Sequence, residues 1–137
     1  MPSDSVVQDM FAFLHGQAAR VVTRWTYFVD DPFAVTFSIR TRSDQWVTWV
    51  MARELLLAGL TGNAGLGDIR LCPRRVQGHE VLVVAISSPD GHAALEVDRD
   101  LLRRFVQTTL EIVPLGNESS MVDLDAEIKK ITRSCAE

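Results

Sequence analysis

Three histidines, two cysteines and one glycine-rich loop are the first places in this chain to look for chemistry. His15, His79 and His92 could serve as metal ligands or proton carriers. None stands at a ligand spacing, however, and His79-Glu80 lacks the second histidine of a zinc-protease helix. Cys72 has no second cysteine at zinc-finger distance; a small apolar residue inside a strand accounts for it better than a nucleophile with a distant histidine. The loop Thr61-Gly62-Asn63-Ala64-Gly65-Leu66-Gly67 has the glycine content of a phosphate cradle. Its context is wrong, because it leaves a helix and enters a strand, and no lysine occurs before Lys129. It reads instead as a helix-to-strand connection that needs positive φ. Ser87-Ser88 precedes a turn without a GxSxG elbow. Asp30-Asp31 and Asp98 with Asp100 fall at turn and cap positions, where acids are structural. The chain therefore reads as a non-enzyme, with no catalytic set, no metal and no cofactor.

Arginines raise a different possibility. Arg70 and Arg74, with Arg40 and Arg42 across a hairpin bend, would form a single-strand nucleic-acid platform if they met on one sheet face beside Trp46 or Trp49. The alternative is an ordinary solvated face with two core tryptophans. A net charge of −4 weighs against a polyanion partner, so nucleic acid is not expected.

The elements that would position these residues follow from periodicity. Val6 to Leu14 and Val21 to Phe28 are rich in β-branched and aromatic residues, as strands require. Ala34 to Thr41 alternates, with Val35, Phe37 and Ile39 on one face, and Gln45 to Val50 returns as its hairpin partner. Ala52 to Leu60 is a short helix closed by Gly59 and Gly62. Three more strands follow: Asp68 to Arg75, Glu80 to Ser87, and His92 to Val97. Val81 to Ile86 is apolar on both faces and predicts a central strand covered on both sides. Asp98 caps a helix to about Val113 with a stripe of Leu102, Phe105, Val106, Thr109 and Leu110. Asp123 starts a last helix whose stripe is Leu124, Ile128, Ile131 and Cys135, while Asn117 to Met121 is weakly patterned. The fold class is α+β, with meander-rich antiparallel sheets and two to three helices in the order ββββα-βββα(α).

Composition sets the outer bounds. The 137 residues suit one domain, 1–137, and would bury roughly two-thirds of the surface of the unfolded chain. An apolar fraction of 47% against 23% charged is globular composition. Acidic residues stand where a signal peptide would carry positive charge, and no apolar run is long enough to cross a bilayer. Two cysteines without a secretory leader fit a reducing compartment. The expectation is a cytoplasmic protein that reaches a membrane only through a partner.

Several runs resemble one family in matching order. They are Asp31-Pro32-Phe33-Ala34-Val35, Trp49 through Leu56 with Gly59-Leu60, Gly67-Asp68-Ile69-Arg70-Leu71 with Pro73, and Ile86 through Gly91, with a weaker echo from Phe105 to Pro114. Together they resemble the SsgA-like family of actinobacterial sporulation and cell-division regulators, and within it the B type. The first thirty residues match poorly, and Cys72 stands where the family often has an aromatic. The resemblance implies a non-enzymatic role in sporulation-specific septation, with FtsZ and an A-type relative as partners and recruitment to the septum. It leaves the docking surface unknown. The element order is also similar, in architecture only, to whirly-type single-strand-binding proteins. Two successive sheets and an apolar terminal helix would leave faces needing cover, which leads us to expect a homo-oligomer, a trimer before a dimer.

Overall fold

The computed structural model describes residues 5–15, 19–41 and 43–121. Seven strands form one antiparallel sheet: β1 (Ser5–Leu14), β2 (Arg20–Phe28), β3 (Ala34–Arg40), β4 (Trp46–Ala52), β5 (Ile69–Val76), β6 (His79–Ser88) and β7 (Gly91–Asp98). Their order across the sheet is β4-β3-β2-β1-β7-β6-β5. The helices are α1 (Arg53–Gly59), α2 (Arg99–Ile112) and a single turn, α3 (Glu118–Met121). The helix expected from Asp123 lies outside the described residues.

The two meanders do not make separate sheets, as the strand pattern suggested. They join where Ala12, Phe13 and Leu14 of β1 pair with Val97, Glu96 and Leu95 of β7. Alternation within a strand reports which face is apolar, but it carries no information about a partner far along the chain. The expectation for β6 is corrected as well. It lies one strand from an edge, and only its inner face meets the helical layer, through Leu82, Val84 and Ile86. On its outer face Val83 is still buried, while Val81 and Ala85 are half-buried, with no helix packed over them among the described residues.

The core occupies the helical side. Trp25 and Phe37 stack at 4.5 Å between ring centroids on neighbouring strands. Leu102, Phe105 and Val106 of α2 press the expected stripe onto this face. Asp98 caps α2, accepting from the N–H groups of Asp100 at 2.9 Å and Leu101 at 3.2 Å. The glycine loop is a connection: Ala64 bridges to Leu71, and Gly65, at φ +91°, passes so close to Ile69 that a Cβ would lie 2.4 Å from its carbonyl oxygen.

Gly59, the last residue of α1, is required by close packing. A Cβ there would sit 2.6 Å from both Cβ and Cδ1 of Leu71, so α1 packs on β5 only without a side chain at this position. Gly59→Ala is expected to cost about 1–3 kcal/mol by overpacking. A urea titration checks this, and an unchanged midpoint would show that the two elements can separate freely.

Candidate protein-docking surface

The cross-strand register fixes which side chains stand on the side of the sheet opposite the helices. Met10, Ala12, Trp25, Tyr27, Phe37 and Met51 point into the core, so their neighbours in sequence point outward. One outward row runs Val50–Thr36–Thr26–Val7 across β4, β3, β2 and β1. The adjacent row is Thr48–Ser38–Arg24–Asp9. Phe11, Phe13, Phe28 and Trp46 complete the apolar part of this face. Val50 is 59% exposed and Phe11 57%. These apolar side chains are interleaved with the polar row, and several large exposed apolar side chains sharing one sheet face make it the candidate interaction surface.

Ion pairs and stacked cations set the patch in place. Arg24 holds Asp9 in a bidentate pair, at 2.8 and 3.0 Å, and lies over the Trp46 ring at 4.7 Å. The Arg24 hydrogen bond draws the Asp9 carboxyl below its ordinary range. Arg20 covers the Phe11 ring at 4.6 Å. His15 Nδ1 meets Glu96 at 2.6 Å across the end of β7.

The arginines singled out from the sequence do not gather. Arg40 ends β3 and binds Asp44 within its own hairpin. Arg70 and Arg74 lie on β5, at the far edge, five strands from Arg40 in the sheet order. At about 4.8 Å per strand the separation is roughly 24 Å. Arg42 lies outside the described residues. Of the two tryptophans, Trp46 is exposed on the outer face, while Trp49 turns inward and is half-buried, so only one of them belongs to the core. His79 begins β6, His92 is the second residue of β7, and Cys72 is half-buried on β5. Among the described residues, no three His, Cys, Asp or Glu side chains converge as metal ligands would.

Sequence reasoning missed the most heavily buried charge. Arg53, the first residue of α1, is 1% exposed. Its Nη1 donates to the carbonyls of Val113 at 2.7 Å and Thr109 at 3.2 Å, and its Nη2 to Glu118 at 2.9 Å. The guanidinium also lies 4.9 Å from the centroid of the Tyr27 ring. It therefore closes the C-terminal end of α2, where a cation suits the helix dipole, and ties α1, α2, α3 and β2 together. Glu118 accepts in addition from the Gly116 N–H at 2.8 Å. Burial raises the Tyr27 hydroxyl above its usual range, and that hydroxyl donates to the Pro32 carbonyl. One signal was available in the sequence: an arginine at a helix N-terminus is unfavourable for the dipole and needs another reason to be there.

The Arg53 hydrogen bond lowers the Glu118 pKa from 4.5. A depressed carboxylate contributes stability that is fully present above the unfolded value and is lost as pH falls through the folded one. Thermal melts of the wild type and Glu118→Gln should accordingly differ most near neutrality and converge as pH drops below 4.5. A constant difference down to strongly acid pH would mean that the carboxylate charge contributes nothing.

Comparison with known proteins places this architecture. The family described as Streptomyces sporulation and cell division protein, SsgA, matches residues 21–118. A sporulation-specific cell division protein SsgB of Frankia casuarinae is 38% identical over 82% of this chain and 79% of its own. SsgB of Streptomyces coelicolor is 41% identical over 77% of each. The solved structure of an SsgA-like sporulation-specific cell division protein from Thermobifida fusca superposes with a TM-score of 0.82 at 34% identity, covering 95% of this chain and 98% of that one. A match that runs from β2 through the buried Glu118, with such similarity along most of both chains, makes this chain a member of the SsgA-like family of sporulation and cell-division proteins, alongside its SsgB-type relatives.

Proposed function

We propose that the chain is a non-enzymatic docking scaffold that recruits FtsZ to sporulation septa, using the outer face of β1 to β4 as its contact surface. The observation that carries this reading is the apolar face itself, formed by Val7, Phe28, Trp46 and Val50 in a protein whose relatives are named for sporulation-specific division. Tryptophan and other aromatics on a flat, preformed surface are the usual anchors of protein interfaces. A scaffold of this kind contributes position rather than bond-making, so the chemistry of the site is complementarity alone. Its place of action is the nascent septum, reached through FtsZ and an A-type family relative rather than through a span of its own. No helix among the described residues is long and apolar enough to cross a membrane.

Affinity capture of FtsZ by the full chain, with localisation in sporulating cells, tests the proposal. Saturable capture and co-localisation at nascent septa are expected; no association under sporulating conditions would remove it. The separation of Arg40 from Arg70 and Arg74 supports a companion expectation. Single-stranded oligonucleotide titrated at low salt should show no saturable binding. Tight binding that weakens steeply with salt would bring the nucleic-acid reading back.

A further inference from the structure

The join between the two meanders leaves an edge inside the sheet. Leu14 N–H donates to Ala19 on the β2 side, and His15 N–H to Ala94 on the β7 side. Main-chain groups alternate sides along a strand, so Val7 and Asp9 turn theirs toward β7 as His15 does. The ladder with β7 stops at Ala12, however, and β7 passes into α2 after Asp98. Among the described residues no strand pairs with Val7 or Asp9 on that side, so their N–H groups have no ladder acceptor. The Asp9 carbonyl accepts instead from the side-chain amide of Gln8 at 2.9 Å. A side chain standing in for a neighbouring strand marks an open edge.

A cavity of about 1030 Å³ opens along this edge. Across it stands the β5–β6 hairpin with Val76 and Val81, and Leu101 of α2 also lines it. Where Asp98 still separates β1 from Val81, the two strands are two spacings apart, about 10 Å. Past Asp98 that width is open. It admits one extended chain, whereas a helix with its side chains is about 10–12 Å across and does not fit between the strands. Asp9, Glu80, Glu96 and Asp98 line the cavity. Arg24 neutralises Asp9, and Arg75 with Arg99 neutralises Glu80. Glu96 is paired with His15, and Asp98 with the N–H groups that it caps, so neither carboxylate meets an arginine. Leu95 and Val97 point into the core, which puts Glu96 and Asp98 side by side on the outer face. The charge left uncovered matches one cationic side chain, not several.

We propose that this groove takes an extended segment of a partner protein, which adds as a strand along Val7 and Asp9 and brings one lysine or arginine to Glu96 and Asp98. Main-chain bonds to β1 hold such a segment, and its side chains select it. Apolar residues on its outer face meet Phe11, Phe13 and Val76, while the cation answers the two carboxylates without an arginine. The site is distinct from the Trp46 and Val50 end of the sheet. The inference does not depend on FtsZ binding, and its test contains no FtsZ.

Amide hydrogen exchange on the full chain, followed by NMR, is the first measurement. In the free protein the amides of Val7 and Asp9 should exchange much faster than those of Gln8 and Met10, which face β2. Slow exchange at Val7 and Asp9 would mean that the chain itself or a second copy already fills the edge, and would overturn the inference. The partner probe is a random library of linear peptides of strand length, about ten residues, displayed on phage and selected on the full chain. Selected peptides should carry a lysine or arginine among apolar residues and, made synthetically, should slow exchange at Val7 and Asp9. Glu96→Gln should weaken their binding roughly two- to fivefold, as loss of a partly exposed ion pair does. Val7→Pro removes one free N–H and sets a ring on the edge. It should weaken binding about tenfold or more while moving the melting temperature little, since that N–H holds nothing in the sheet. No enriched peptide, peptides that bind without slowing exchange at Val7 and Asp9, or an affinity unchanged by Glu96→Gln would overturn the inference.

Discussion

Arg53→Ala should destabilise the fold by roughly 3–5 kcal/mol, which for a domain of this size lowers the melting temperature by roughly 10–20 °C. The effect is large because the guanidinium is fully enclosed and serves four groups at once. Its removal takes the charged donor from the Glu118 carboxylate and from the carbonyl of Val113, removes one of two donors to the carbonyl of Thr109, and takes the cation from the Tyr27 face. Unpartnered buried acceptors cost more than the pair contributes in place. The companion variant, Arg53→Met with Glu118→Leu, separates these effects. It removes both charges and should recover part of the loss, but not all of it, since the Val113 carbonyl loses its guanidinium donor. Differential scanning calorimetry on the three chains decides the point. Equal melting for Arg53→Ala and wild type would mean that the network is incidental to stability.

Trp46→Ala and Val50→Asp should each weaken retention of FtsZ at least tenfold while moving the melting temperature little. An interface hot spot is worth 2 kcal/mol or more, which is about thirtyfold in affinity, and tryptophan is the commonest such anchor. Both side chains stand on the outer face, 39% and 59% exposed, so they contribute little to the core. Surface changes of this kind usually stay within about 0.5 kcal/mol of wild type. Leu66→Asp is the control. Leu66 is 94% exposed but sits in the glycine loop, away from this face, and its replacement should leave retention unchanged. If all three variants capture FtsZ as wild type does, the outer face is not the docking surface. If all three lose capture, solubility rather than contact is at issue.

The strands, α1, α2 and the Asp98 cap were legible because each is written locally. A period of two in Ala34 to Arg40, a helical stripe from Leu102 to Thr109 and an aspartate before that stripe all report conformation within a few residues. The family was legible from ordered runs that the folded chain now explains in part. Gly59 clears Leu71, and Arg53 reaches across to Glu118.

Only the tertiary structure decided what those local elements make together. Nothing in β1 or β7 announces that they pair, yet three residue pairs between them turn two meanders into one sheet and open the groove beside it. Arg40 and Arg70 alternate outward alike, and the strand order alone places them at opposite ends of the face. Glu118 looked like part of a gap in the pattern until the fold brought it to Arg53. The physical reason is common to all three. Alternation and capping are settled by neighbours along the chain, whereas strand order, face sharing and buried charge pairs arise when distant segments compete to cover the same apolar surface.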